Sequence, residues 1–283
     1  MILNKNLVTR LLAKILRRTE FHRRLSRKKI VKRYLKKTND LASSWVGKHT
    51  EASNFYYPLT EMNRADLVST VSVVTGMPII QIRSYLQELH EDRQLHSHLG
   101  TYLHSKPQTR DSLIAYGRRE GWYLFIRAIK PKLVVETGVH HGVGASLIAA
   151  ALLKNREEGH DGVYLGTEIN ENAGFLFQDG YSSVGEIKFG DSIDTLTQIQ
   201  SDIDIFINDS DHSAEYEAME YSTVRNKLAK SSLIIGDNSH VTNCLRDFSE
   251  QNKRPYIFFK EIPANHWYPG GGIGISPTRI PLK

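Results

Sequence analysis

From Leu133 onward, short apolar runs alternate with helical or turn-rich stretches. Leu133-Val134-Val135, Val163-Tyr164-Leu165, Ile187-Lys188-Phe189, Ile203 to Ile207 and Leu233-Ile234-Ile235 are rich in residues that suit a pleated, buried surface. Strands alternating with helices predict a parallel sheet covered on both faces. Tyr256 to Phe259 and Gly272 to Ile275, joined by a Pro/Gly-rich loop, break that rhythm and predict a terminal hairpin. Upstream, Thr60 to Tyr102 reads as helix in two pieces parted at Gly76-Met77-Pro78. Ile79, Ile82, Leu86 and Leu89 form the buried stripe of the second piece, and Thr75 is its expected cap. Gly117 to Ile129 reads as one more helix. Near the N-terminus, Leu7, Val8, Leu11, Leu12, Ile15 and Leu16 recur at helical spacing among Arg10, Lys14, Arg17 and Arg18, a basic amphipathic pattern. Residues 38 to 58 read as an irregular linker.

The chain has 283 residues, 40% hydrophobic and 24% charged, which suits one or two globular domains and speaks against a disordered, collagen-like or coiled-coil chain. Cys244 stands alone, which removes intrachain disulfides and multi-cysteine metal sites and suits a reducing compartment. Apolar runs fall short of the roughly 20 residues of a membrane span. The cations at 10, 14, 17 and 18 interrupt what would be the apolar stretch of a signal peptide, so a cytoplasmic location is expected. Charge changes the picture. Of 37 Lys and Arg, 14 fall in the first 40 residues beside only Glu20 and Asp40, so an arm of +12 precedes a body of −6. Three readings of the arm stay open: a peripheral contact with an anionic membrane at its inner surface, packing against the body or a second subunit, and nucleic acid. The last is disfavoured by the scarcity of aromatics and of any nucleic-acid motif. His90, His96, His98 and His104 do not share one helix face, which argues against a metal site there.

In an open parallel sheet the ligand crevice lies outside the carboxyl ends of the strands, so the residues after each strand carry the chemistry. The first is followed by Glu136-Thr137-Gly138-Val139-His140-His141-Gly142-Val143-Gly144. Its G-x-x-x-G-x-G spacing is not the dinucleotide G-x-G-x-x-G, and an acid before the turn suits a cationic amine better than a pyrophosphate. The second ends at Glu168, whose carboxylate can accept from both hydroxyls of a ribose. The third ends at Gly190-Asp191-Ser192, a polar edge for an adenine amino group. Helix N-caps in an unrelated α/β protein would use the same residue types.

With V-E-T-G-V-x-x-G at Val135 to Gly142, Asp209-Ser210-Asp211-His212 and Gly236-Asp237-Asn238, the sequence from about residue 116 to 280 resembles the class I S-adenosylmethionine-dependent methyltransferases. The branch it resembles is that of metal-dependent small-molecule and sugar O-methyltransferases. The resemblance implies an α/β fold with a Rossmann-like, seven-stranded, mostly parallel sheet whose last strand is antiparallel. It implies Glu136 and Gly138 around the methionine part of the cofactor with Gly142 in the same loop, Glu168 at the ribose, Asp191 and Ser192 at the adenine, and Asp209 bordering the cofactor. Together with the charge split, it divides the chain into the arm (1–40), a linker with a helical lid or oligomerisation region (41–105) and the S-adenosylmethionine-binding domain (106–283).

Asp209, Asp237 and Asn238 follow two successive strands, and two carboxylates with an amide oxygen suit Mg²⁺. Such an ion would acidify and align an acceptor hydroxyl, with Asp211 or His212 taking its proton. His140 and His141 are alternative bases, and Asn208 stands where this branch would accommodate a histidine. The same residues also allow a metal-free site in which Asp237-Asn238 caps a turn. His266-Trp267-Tyr268-Pro269, followed by Gly270 to Gly272, forms either an aromatic wall for the acceptor or a packed hairpin. The expected activity is methyl transfer to a hydroxyl of a small molecule or saccharide. Its competitors are metal-independent N- or O-methyl transfer, and a cofactor-binding or membrane-associated scaffold without catalysis.

Overall fold

The computed structural model describes residues 5–47, 56–107 and 113–281. The chain divides into two units, Met1–His49 with Asn265–Trp267, and Thr50–Ala264 with Tyr268–Lys283. The first unit is built on one long helix, α1 (Lys5–Val46). It runs through residues 38 to 46, expected as linker, because neither Gly nor Pro occurs before Gly47 to stop it. Its cations from Arg23 to Lys37 are exposed. Trp45 packs edge-on against Trp267, with ring centroids 5.5 Å apart. The side chains of Leu7, Val8, Leu11, Leu12 and Leu16 lie outside the described residues, as do residues 48–55 of the expected linker, so of the expected apolar stripe only Ile15 is described, and it is exposed. Among the described residues no helix is long and apolar enough to cross a membrane.

In the second unit, α2 (Glu61–Thr75) begins at Thr60, whose side chain accepts from Asn63 N, and ends at Gly76 in the left-handed conformation. Thr75, expected to cap the next helix, stays inside α2 and donates to Val71 O at 2.7 Å. The second expected piece is two helices, α3 (Ile79–Glu91) and α4 (Arg93–Ser105). Asp92 separates them, its carboxylate accepting from Leu95 N at 2.9 Å to cap α4. A 3-10 turn, Gly117–Arg119, leads into α5 (Glu120–Ile129).

The sheet that follows has strands β1 (Leu133–Thr137), β2 (Val163–Glu168), β3 (Gly185–Phe189), β4 (Ile203–Asn208), β5 (Leu228–Asp237), β6 (Ile257–Lys260) and β7 (Gly272–Pro277). Their order is β3-β2-β1-β4-β5-β7-β6, with β7 antiparallel to both neighbours. The helices between strands are α6 (Val143–Glu157), α7 (Ser192–Gln198), α8 (Ala214–Val224) and α9 (Cys244–Gln251).

Successive strand residues face opposite layers, which is why the central strands read as unbroken apolar runs. Val134, Ile205, Leu233 and Ile273 join the helices α2 to α6 in one core. Val135, Phe206 and Ile234 join Leu196, Tyr221 and Leu245 of α7 to α9 in the other. The segment expected as linker and lid thus supplies Leu67, Val71, Ile82, Leu89 and Leu99 to the first of these cores. Of its histidines, His90 pairs with Glu120 at 3.0 Å and His98 bonds to Leu176 O at 2.7 Å.

Candidate active site

The carboxyl ends of β1, β2 and β4 are tied together by the backbone of one turn. Gly138 N donates to Thr167 O, and Asp209 N donates to Thr137 O, both at 2.9 Å. Gly138 has φ +81°, and a Cβ there would overlap the Asp209 carbonyl, so the close approach of the two loops requires glycine. The crevice they leave has a volume of about 480 Å³. Of the residues expected around a cofactor, Gly138, Glu168, Asp191, Ser192 and Asp209 line it, joined by His140, Ile169, Asp211 and Tyr216. Glu168 is pinned by two backbone donors, His140 N at 2.7 Å and Asn170 N at 2.9 Å. Asp191 caps α7 through Ile193 N at 2.8 Å and accepts from Tyr216 OH at 3.1 Å.

Beneath this crevice lies a buried acid, Glu220 of α8, which the sequence reading passed over. It accepts from Thr137 Oγ1 at 3.0 Å, from Ser210 Oγ at 2.8 Å, and from Ser192 and Asn208. One carboxylate thereby joins the ends of β1 and β4 to the start of α7. Asn208, at the position where a histidine would be accommodated, is a strut of this network, its Nδ2 donating to Glu220 and its Oδ1 accepting from Tyr221 OH at 3.3 Å.

Glu136 and Gly142 are not among the lining residues. Gly142 caps α6 and packs against Leu176 and Phe177. Glu136 shares a strand face with Val134, so its carboxylate turns into the layer of α5 and α6, where it is buried and accepts from Tyr164 OH. Burial, opposed by the Tyr164 hydrogen bond and the charge of Arg119, pushes its carboxyl up to about 7. The folded state therefore keeps a proton that the unfolded chain releases, and stability falls as pH rises from the ordinary carboxylate range to about 7. Glu136→Gln is expected to remove up to about 3 kcal/mol of that loss. Urea titrations of both proteins at about pH 5 and pH 8 check this; parallel pH dependences would reject it.

At the ends of β4 and β5 a second cluster shares Asp209 with the crevice. Asp237 is buried, and Arg118 from the 3-10 turn donates to it through Nε and, at 2.5 Å, through Nη2. The other edge of the guanidinium donates to Glu261 Oε1 at 3.0 Å. Glu261 is held in turn by Tyr57 OH and Gly271 N, both at 2.7 Å. Arg119 reaches Asp209 Oδ2 at 3.6 Å, and His212 Nε2 lies 3.8 Å from Asp209 Oδ1. Burial raises the carboxyl of Asp237, but the charge and hydrogen bonds of Arg118 outweigh it and hold Asp237 below the usual range. Burial and the neighbouring charge of Asp237 push Asp209 well up. The two neighbouring acids are thus pushed in opposite directions, Asp237 down and Asp209 up.

Asp211 and His212, the two expected bases, diverge. Asp211 is exposed at the crevice rim, accepting from Ser213 N at 2.9 Å and Ser213 Oγ at 3.1 Å. His212 enters the acid cluster, with Asn238 Nδ2 3.1 Å from its Nε2. His140 and His141 stack on each other at 3.8 Å, and His141 Nδ1 lies 3.2 Å from Tyr56 OH. Tyr268 lies beside Tyr57, ring centroids 5.9 Å apart.

One ligand atom each from Asp209, His212 and Asp237 lie within 4.8 Å of one another, a spacing compact enough for a cation. The donors argue otherwise for Mg²⁺ on Asp209, Asp237 and Asn238. Both oxygens of Asp237 already receive N–H groups from Arg118. Asn238 turns its nitrogen to His212 and its oxygen toward Gly271, where an added Cβ would lie 2.7 Å away. The third nearby donor is an imidazole nitrogen, whereas Mg²⁺ favours an octahedron of oxygens. As arranged, these side chains do not fit the ion. Arg118 was not singled out from the sequence, where its one hint is a dibasic pair set directly before the mostly apolar helix α5.

Residues 135–239 match the family described as "Methyltransferase domain". No curated protein matches the sequence. Among solved structures, the chain is similar to an O-methyltransferase from Bacillus cereus in complex with S-adenosylhomocysteine, at 14% identity and TM-score 0.51, over 67% of this chain and 92% of that one. It is also similar to the O-methyltransferase TomG from Streptomyces achromogenes, in complex with S-adenosylmethionine, at 14% identity and TM-score 0.50, over 66% and 90%. At such identities the likeness is one of fold.

Proposed function

We propose that this chain, a class I S-adenosylmethionine-dependent methyltransferase by its matched domain and sheet order, methylates a hydroxyl oxygen of a small molecule or saccharide. The observation that carries this reading is the sharing of Asp209 between the cofactor-sized crevice and the cluster holding His212. A proton acceptor then stands beside the place where the methyl group is delivered. The names of the solved O-methyltransferases point the same way.

When bound, S-adenosylmethionine supplies an electrophilic methyl group. Glu168, its two oxygens fixed by His140 N and Asn170 N, keeps lone pairs free for the ribose hydroxyls. Asp191 and Ser192, steadied by Tyr216, take the adenine edge, and the exposed Ile169 side chain offers an apolar face to the ring. Gly138 allows the backbone to approach the methionine portion. His212 takes the acceptor's proton at Nε2, and the imidazolium so formed faces Asp209. Asp211 stays at the rim as a lining residue. The Tyr57–Tyr268 pair gives the acceptor an aromatic wall. Because Arg118 engages Asp237, the reading assigns no step to Mg²⁺.

Transfer from S-adenosylmethionine labelled with ¹³C in its methyl group, to a panel of catechols, simple phenols, free sugars and primary amines, tests the reading. An O–CH₃ carbon signal is expected in the product. Label found on nitrogen alone would overturn it in favour of N-methyl transfer.

For the arm we propose reversible contact with an anionic lipid surface, as a peripheral protein in the reducing cytoplasm. Its support is the charge of α1, exposed on all sides from Arg23 to Lys37, against an acidic remainder. Deleting residues 1–37 should abolish sedimentation with phosphatidylserine vesicles and spare methyl transfer. Equal sedimentation with neutral vesicles would reject the electrostatic account.

A further inference from the structure

Buried acids at the end of a parallel sheet ordinarily need a cation, and here the chain provides one. Asp237 and Glu261 are both fully buried, and Asp209 lies beside them largely covered. Three ionised carboxylates so close together would not persist without compensation. Arg118 bridges two of them, forking onto Asp237 and reaching Glu261 with its remaining edge, while its own backbone N–H donates to Glu261 Oε2 at 3.2 Å. Arg119, the next residue, stands 3.6 Å from the third. Two guanidinium groups thus face the three acids, so the chain itself supplies the compensating positive charge.

Arg118 is also held as a built part of the site. Its side chain is only 12% exposed, and it issues from a turn whose Gly117 has φ +55°, with Tyr57 packed where a Cβ would be. Glu261, its anchor, is fixed on the far side by Tyr57 OH and Gly271 N. A divalent ion entering between Asp209 and Asp237 would have to strip a two-pronged guanidinium from Asp237 and leave Glu261 buried without its cation.

We propose that Arg118 occupies the functional place of a divalent cation at the ends of β4 and β5, closing the Asp209–His212–Asp237 cluster to metal ions beside the methyl-transfer site. Arg118 is thus a positioning residue that acts through Asp237 and Glu261. The inference rests on the proposed methyl-transfer site for its meaning, yet its test requires neither acceptor nor turnover.

Mn²⁺ titrated into the full chain, with free Mn²⁺ followed by electron paramagnetic resonance, reads the cluster directly. Wild type is expected to show no saturable binding at submillimolar Mn²⁺. Arg118→Ala should open the site and bind one Mn²⁺ at least about tenfold more tightly, and adding Asp237→Asn should abolish that gain. Wild-type binding of one Mn²⁺ that is lost in Asp237→Asn would overturn the proposal, as would an Arg118→Ala protein that binds no better than wild type. Should Arg118→Ala fail to fold, Arg118→Gln, which removes the charge but keeps polar N–H donors, takes its place with the same expected gain. A chain that excludes Mn²⁺ but labels only nitrogen would defeat the O-methyl reading and leave this one standing.

Discussion

His212→Gln is expected to lower turnover by about 10² to 10⁴ while leaving cofactor affinity unchanged. His212 brings an imidazole into the acid cluster, 3.8 Å from Asp209, and it is absent from the lining of the crevice. Glutamine preserves a polar group beside Asn238 but cannot take a proton at neutral pH. Asp211→Asn should have a much smaller effect on turnover, because its carboxylate is turned to Ser213 at the rim. Single-turnover rates with both variants separate proton removal from binding. A His212→Gln enzyme with normal turnover would move the base elsewhere, to His140 or His141 at the crevice mouth.

The second large effect belongs to Gly138. Gly138→Ala combines a left-handed backbone, costing roughly 1 to 2 kcal/mol, with a Cβ driven into the Asp209 carbonyl, costing roughly 1 to 3 kcal/mol more. Gly159→Ala is the matched control: φ is +82° there, but a Cβ meets nothing within 4 Å. Both should lose the conformational part, and only Gly138→Ala the steric part along with cofactor binding. Urea denaturation of the two variants beside wild type measures the difference. Equal losses would mean that the β1 and β4 loops do not press on each other as described.

The sheet was legible because its signal is local. Pairs such as Val134-Val135 and Ile205-Phe206 are apolar in succession, since both faces of the strand are covered. Glu168, Asp191, Ser192 and Asp209 were legible for a topological reason: each directly follows a strand that runs toward the crevice. The burial of Glu136 could have been read from the same periodicity, since it lies two residues after Val134 and shares its face. Asp92 was missed as a break because a cap and a mid-helix acid look alike in an unbroken helical pattern.

Long-range partners were out of reach. Arg118 meets Asp237 across 119 residues and Glu261 across 143, and Tyr57 meets Glu261 across 204. No spacing rule links such positions; only the completed fold brings the turn before α5 against the end of β5. For the same reason the residues expected around Mg²⁺ could be picked out from the sequence, but not the arginine that pairs with Asp237.

Calorimetric titration of S-adenosylhomocysteine into the full chain, beside Glu168→Ala, tests most directly that the crevice at the ends of β1, β2 and β4 is the methyl-donor site. Saturable binding of one molecule per chain is predicted, weakened in the variant by about 10- to 100-fold as charged hydrogen bonds worth roughly 1.5 to 3 kcal/mol are lost. A folded wild-type chain that gives no binding heat, or a Glu168→Ala protein that binds as tightly as wild type, would contradict it.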